Sequence, residues 1–234
     1  MSSELLIARR FRGPPQSANG GYVAGMLARH LGGAVAVRLK SPPPLETGLR
    51  IETSAGQATL VHGDRVLAEA RGREPAIDPP QCPSFADAER ASRSSPVWLA
   101  HPLPECFVCG TRRAEDGGLQ IFAGALGEGL HAAPWIPDDS LCDAAGRVRP
   151  EFIWSALDCP GGFAVNPAGD LILLGELCAR IDGTVARGER CVVVGWPLGN
   201  DGRKRFAGSA VFSGSGRLIG LARATWIQPA QSSL

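Results

Sequence analysis

The chain lacks an excess of either charge: Lys and Arg number 24, Asp and Glu 23, and the formal net charge is +1. It has no lysine-rich run, and with aromatics at 6% it has no aromatic platform flanked by basic residues. Both features mark nucleic-acid binders, so no nucleic-acid partner is expected. No stretch approaches the roughly 20 consecutive apolar residues that span a bilayer, so no membrane partner is expected either. The apolar patch in the first thirty residues is broken by Arg9, Arg10 and Arg12 and falls short of a secretory leader. There is no GxGxxG and no Walker-type phosphate loop, which argues against dinucleotide and nucleotide chemistry. Seven cysteines are an odd number in a chain too large to need disulfide staples. A reducing cytoplasm is the expected setting.

What remains is 234 residues at 44% apolar, enough for a sizeable core and for two small domains or one fused pair. The two halves read as variants of one unit, each a short helix followed by about four strands. The hairpins match best. Ala58-Thr59-Leu60-Val61 turns through His62-Gly63-Asp64 into Arg65-Val66-Leu67-Ala68, and Ser209-Ala210-Val211-Phe212 turns through Ser213 to Gly216 into Arg217-Leu218-Ile219-Gly220. The division expected is a first unit over 1–75, a linker over 76–117 and a second unit over 118–234.

In the first unit, Gly20 to Leu31 has helical spacing, with Tyr22, Val23, Met26, Leu27 and Leu31 near one stripe and Gly32-Gly33 as its stop. Strands are expected at 35–39, 49–53, 58–61 and 66–71. From Glu74 to Pro104 the chain is rich in Pro, Ser, Ala and Arg and has no strand period. In the second unit, strands are expected at 119–122, 130–135, 171–181, 191–196, 204–212 and 218–227. Pro150 suits the first turn of a helix over Glu151 to Cys159, which Pro160-Gly161-Gly162 ends or kinks. Both helices are apolar nearly all round, as buried helices are.

Two short motifs sit at matching places in the repeats. Ser17-Ala18-Asn19-Gly20-Gly21 is followed by Met26-Leu27-Ala28, and the second helix carries Ser155-Ala156-Leu157-Asp158. The first is similar to the pattern Asn or His, Gly, Gly, four residues, Leu-Ala-acid that opens the central helix of hotdog acyl-CoA thioesterases, and the second resembles its acid end. The organisation resembles an α+β fold, the tandem (double) hotdog, in which each unit is an antiparallel β-sheet wrapped around a central helix. The resemblance covers nearly the whole chain apart from the linker.

With the helices in register, Gly21 stands opposite Glu151 and Ala28 opposite Asp158. The first unit keeps the glycines and lacks the acid. The second keeps the acid and has Pro150, which offers no N–H, near its helix start. The resemblance therefore implies one composite site between the units, with Gly20 and Gly21 as oxyanion donors, Asp158 as the carboxylate and Asn19 to orient water or cap the helix. A helix N-terminal N–H suits an oxygen that gains negative charge, and glycine lets the backbone come close. Glu151 reads as a first-turn acid favoured by the helix dipole. Glu176 is a minor candidate on a strand.

The activity implied is hydrolysis of acyl-CoA or another acyl thioester, without a cofactor or metal; the alternative is a non-catalytic protein holding an acyl chain or acyl-CoA in the same cleft. Lys40, Arg187, Arg190, Arg203, Lys204 and Arg205 are candidates for the CoA phosphates. The resemblance also implies further assembly, with an exposed sheet edge favouring a homodimer. Cys106-Phe107-Val108-Cys109-Gly110 has the look of a zinc knuckle, with Cys82 and His101 as candidate third and fourth ligands, but a single CxxC supplies two donors of four. Structural thiols in a turn are the default reading there. The four histidines, His30, His62, His101 and His131, are scattered.

Overall fold

The computed structural model describes residues 2–113, 117–166 and 169–229; positions 114–116 of the expected linker, and 167–168 and 230–234 of the expected second unit, lie outside the described residues. In chain order the elements are β1 (Ser2–Leu6), α1 (Gly20–Ala28), β2 (Val35–Leu39), β3 (Gly48–Ser54), β4 (Gln57–His62), β5 (Arg65–Gly72), α2 (Phe85–Arg93), β6 (Gly124–Gly127), β7 (Leu130–Trp135), α3 (Pro150–Ala156), α4 (Cys159–Val165), β8 (Leu173–Ile181), β9 (Cys191–Asp201), β10 (Lys204–Phe212) and β11 (Leu218–Ile227). Among the described residues the strands form one antiparallel sheet of 11, in the order β1-β3-β4-β5-β2-β8-β11-β10-β9-β7-β6. No helix among the described residues is long and apolar enough to cross a membrane.

The strand order reads alike from the central β2–β8 pair outward, β6 being the one addition. Local details repeat as well. An isolated bridge joins Arg12 to Ala18 before α1, and another joins Cys142 to Val148 before α3. The amide of Asn19 donates to Phe11 O (2.8 Å), as that of Arg149 does to Leu141 O (3.0 Å). Each member of the second set follows its counterpart by 130 residues, as Pro150 follows Gly20. Both expected hairpins form, β4 with β5 and β10 with β11.

Side chains on successive strand positions face opposite sides, and the two sides are covered differently. Cys191 and Val193 of β9 join the main core, with α1, α3 and the aromatic group Phe11, Tyr22, Phe107 and Phe152. Val192 and Val194 face the other way, into a second cluster with Ala88 and Ala91 of α2. The expected linker is therefore more than a crossing: α2 lies over the outer face of the second half. Ser84 caps it by accepting from the amide of Asp87 (3.1 Å).

The sequence expectation does not include β1, α2 or β6; β8 begins at Leu173 and not Leu171, and β9 runs on to Asp201. Three further differences have a visible cause. Residues 119–122 form no strand in the sheet, because Leu119 and Ile121 donate their amides to Phe107 O and Val108 O (both 2.9 Å), strapping the Cys106 to Gly110 turn. α1 ends at Ala28; a tightened turn carries the chain to Gly32 and Gly33, whose φ of +74° and +65° place them in the left-handed region. The expected helix over 151–159 stops at Ala156, and α4 restarts at Cys159. Pro160 has no N–H to continue the ladder, and the last turn of α3 closes through Asp158 N to Ser155 O (3.1 Å) and the Ser209 hydroxyl to Leu157 O (2.6 Å).

α1 and α3 pack antiparallel on the inner side of the sheet, Gly21 against the C-terminal end of α3 and Gly25 against its start. A Cβ at Gly21 would stand 2.7 Å from Asp158 Cβ and 2.8 Å from Trp154 O; one at Gly25 would stand 2.6 Å from Glu151 Cα. The glycines at i and i+4 thus set how closely the helices approach. Replacing Gly25 with Ala adds helix propensity worth up to about 1 kcal/mol, but against backbone the overpacking wins. Gly25→Ala is expected to lower the unfolding free energy by about 1–3 kcal/mol in urea denaturation.

Candidate functional site

The close approach puts the N-terminus of α1 against the break between α3 and α4. Asn19 is the N-cap of α1, accepting from the amide of Tyr22 (2.9 Å). Its Nδ2 donates to Asp158 Oδ2 (2.8 Å), and the amide of Gly21 donates to the same oxygen (2.9 Å). A carboxylate from the second half therefore satisfies a first-turn amide of a helix in the first half. Asp158 itself sits at the break, with φ −75° and ψ −83°, and caps nothing in α4.

Asp158 is 2% exposed, and its Oδ1 is buried without a hydrogen-bond partner. Burial is the main force on its acidity, with the nearby Cys106 sulfur adding to it; together they raise its pKa to about 7 against the opposing hydrogen bonds from Gly21 and Asn19. The structure thus brings Asn19, Gly21 and Asp158 into one hydrogen-bonded group. Gly20, beside them, lines a cavity of about 400 Å³ with Leu39, Leu174 and Ile227, and Lys40 and Arg203 stand at the same cavity.

The other sequence candidates lie elsewhere. Glu151 is buried beside Arg149, with Nε to Oε1 at 3.7 Å. Glu176 pairs with Arg73. Arg187 bonds Asp139 Oδ1 (2.7 Å), Arg190 lies 4.0 Å over the Phe85 ring, and Arg205 donates to Val165 O (2.8 Å). Lys204 begins β10, paired with Asp201 and with Ile227, and does not itself line the cavity beside Gly20. Lys40, though at the cavity, is also paired with Glu69 (2.5 Å).

Sequence reasoning named Cys106, Cys109 and His101 as a possible cluster but missed that Cys159 joins the two thiols next to Asp158. The sulfurs of Cys106, Cys109 and Cys159 all lie within 4.8 Å of one another. Cys109 to Cys159 is 3.3 Å and Cys106 to Cys159 is 3.8 Å, and Asn19 Nδ2 lies 3.8 Å from Cys106 Sγ. His101 Nε2 is 3.2 Å from Cys109 Sγ. Cys82 is not part of the group; it packs against the second cluster under α2. The adjacency of Asp158 and Cys159 in sequence was the available signal, since whatever places the acid at the helix pair also brings that thiol.

No family model matches the chain, and no curated protein sequence does. Solved structures match over nearly its whole length. A protein presumed to be a thioesterase from Novosphingobium aromaticivorans aligns at TM-score 0.63 with 12% identity, covering 98% of this chain and 96% of that one. The TesB protein of Mycobacterium avium subs paratuberculosis aligns at TM-score 0.66 with 13% identity, covering 98% and 93%. A protein presumed to be a thioesterase II from Thermobifida fusca aligns at TM-score 0.64 with 12% identity, covering 98% and 92%. The chain shares the fold of these proteins, and the resemblance read from its helix motifs holds at that level.

The joint role of Asn19 as cap and as donor to Asp158 makes it a stability determinant. Asn19→Ala removes both bonds and leaves a buried carboxylate with one donor fewer, so a loss of about 1–3 kcal/mol is expected by thermal or chemical denaturation. Asn19→Ser keeps a capping oxygen and is expected to recover part of that loss.

Proposed function

We propose that the protein is a thioester hydrolase acting on acyl-CoA or a related acyl thioester, built as two hotdog units over 1–75 and 118–234 with the connection 76–117 between them. The observation that carries this reading is the group Asn19, Gly21 and Asp158, formed from both halves at the junction of two central helices, in a fold shared with proteins named as thioesterases. A carboxylate and a helix-terminal amide at one point are the two elements that acyl transfer to water requires.

In this reading the thioester carbonyl oxygen takes the Gly21 amide, which Asp158 occupies in the unliganded protein. Asp158 Oδ1 accepts a proton from water as the water oxygen attacks the carbonyl carbon. The resulting oxyanion is held by the α1 N-terminus, aided by the positive end of the helix. Collapse of the intermediate breaks the C–S bond, and the thiolate leaves with the proton returned by the carboxyl group. Asn19 keeps the carboxylate facing α1 throughout. The cavity beside Gly20 is apolar along Leu39, Leu174 and Ile227 and has Arg203 and Lys40 in its lining, which supports them as contacts for the phosphates of CoA.

Asp158→Asn keeps an oxygen able to accept from the Gly21 amide and removes the base. It is expected to retain the melting temperature within a few degrees and to lose on the order of 10²-fold or more in kcat, read by thiol release from a panel of acyl-CoA esters. A folded variant with unchanged turnover removes Asp158 from the reaction. Binding of the esters with no thiol release by the unaltered protein would leave only a binding role. Arg203→Ala is expected to raise KM for acyl-CoA and leave KM for the matching acyl-pantetheine unchanged, which separates a phosphate contact from an acyl contact.

A further inference from the structure

The thiol cluster beside Asp158 has the geometry of a metal site. Zinc held at about 2.3 Å by tetrahedral thiolates sets its sulfurs about 3.8 Å apart. The separations of 3.8 Å and 3.3 Å already fall near that edge length, and the third is below 4.8 Å. All three thiols are buried. Three largely buried thiols with their sulfurs converging are an arrangement that a soft cation resolves, since each thiolate then has a positive partner.

The local chain is also shaped for the task. The turn closes through Gly110 N to Cys106 O (2.8 Å), and a Cβ at Gly110 would stand 2.5 Å from that oxygen, so the residue after the second cysteine has to be glycine. Arg113 fixes the loop from below, donating to Glu105 O (2.6 Å), Arg10 O (2.6 Å) and Gly117 O (2.7 Å). Cys159, at the start of α4, is brought to this turn by the same break that places Asp158.

His101 stands outside the ligand set. Its Nδ1 accepts from the amide of Leu103 (3.0 Å), which leaves the proton of a neutral ring on Nε2, the atom facing Cys109 Sγ. His101 thus donates to a sulfur, as Asn19 Nδ2 is placed to do at Cys106, and both soften the negative charge of three thiolates. A cavity of about 80 Å³ is bordered by Cys106, Cys109, Cys159 and His101, giving a fourth coordination position room for a solvent molecule.

We propose that Cys106, Cys109 and Cys159 bind one Zn²⁺ through three thiolates, with His101 hydrogen-bonded to the Cys109 sulfur and solvent from the adjoining cavity as fourth ligand. Loading replaces the remaining thiol protons with the cation and releases them to solvent. The site locks the loop around 106–110 to the start of α4, and so fixes the segment that carries Asp158. It stands independently of the thioester reading, because its test measures metal and not turnover.

The experiment is metal analysis of the full chain purified without chelators, followed by Co²⁺ titration of the chelator-treated protein. One zinc per chain is expected, and Co²⁺ should give sulfur-to-metal charge-transfer absorption with the intense visible bands of a tetrahedral site. Cys109→Ser and Cys159→Ser are expected to lose both signals, while Cys82→Ser keeps them; His101→Gln keeps stoichiometric metal with weakened affinity. Circular dichroism shows whether each variant folds, and should a cysteine variant fail to fold, the Co²⁺ spectrum of the unaltered chain decides. No uptake of zinc or cobalt by that chain overturns the proposal, as does full binding in folded Cys159→Ser. Loss of metal in His101→Gln as complete as in Cys159→Ser overturns the three-thiolate coordination.

Discussion

The contact on which the rest depends is the approach of α1 to α3 through Gly21 and Gly25. Two buried helices with ordinary side chains at those positions would stand farther apart, and the amide of Gly21 would not reach a carboxylate across the seam. With no Cβ at either place, backbone meets backbone at Trp154 and Glu151. The first-turn amides of α1, which the helix cannot satisfy itself, are then met from two sources: Asn19 for Tyr22 and Asp158 for Gly21. A buried acid needs donors and a helix start needs acceptors, so each need answers the other across the two halves.

That exchange explains why the acid sits at a helix break and not within a helix. A residue inside α3 would point its side chain along the helix surface. Pro160 ends the ladder two residues after Asp158, and the tightened turn frees the carboxyl to face α1. The same break turns Cys159 toward the Cys106 to Gly110 loop. Acid and thiol are thus neighbours of one distortion, which ties the Asp158 carboxyl group to the sulfur cluster by covalent geometry and not merely by proximity.

Much of this was legible in the sequence because the repeat carries it. Alternation along Ala58 to Ala68 and Ser209 to Gly220 revealed both hairpins, and the register of Gly21 with Glu151 and Ala28 with Asp158 recurs in the bridges and capping bonds of the structure. The misses have one physical source, which is contact between distant segments. Residues 119–122 have strand composition, yet their amides are taken by Phe107 and Val108. α2 could not be read as a cover for β9 and β7, because its small apolar face of Ala88 and Ala91 gains meaning only beside Val192 and Val194. Cys82 was named as a partner for the CxxC and Cys159 was not, since spacing along the chain says nothing of which thiol a fold returns to the loop.

The glycine face of α1 bears on how the molecule comes into being. A chain made from its N-terminus presents Gly21 and Gly25 early, while Glu151, Trp154 and Ser155, which fill the hollow beside them, emerge much later. In that interval the first half carries a groove with no occupant and a helix start lacking one of its acceptors. The leading half therefore cannot complete that contact until the second half has emerged.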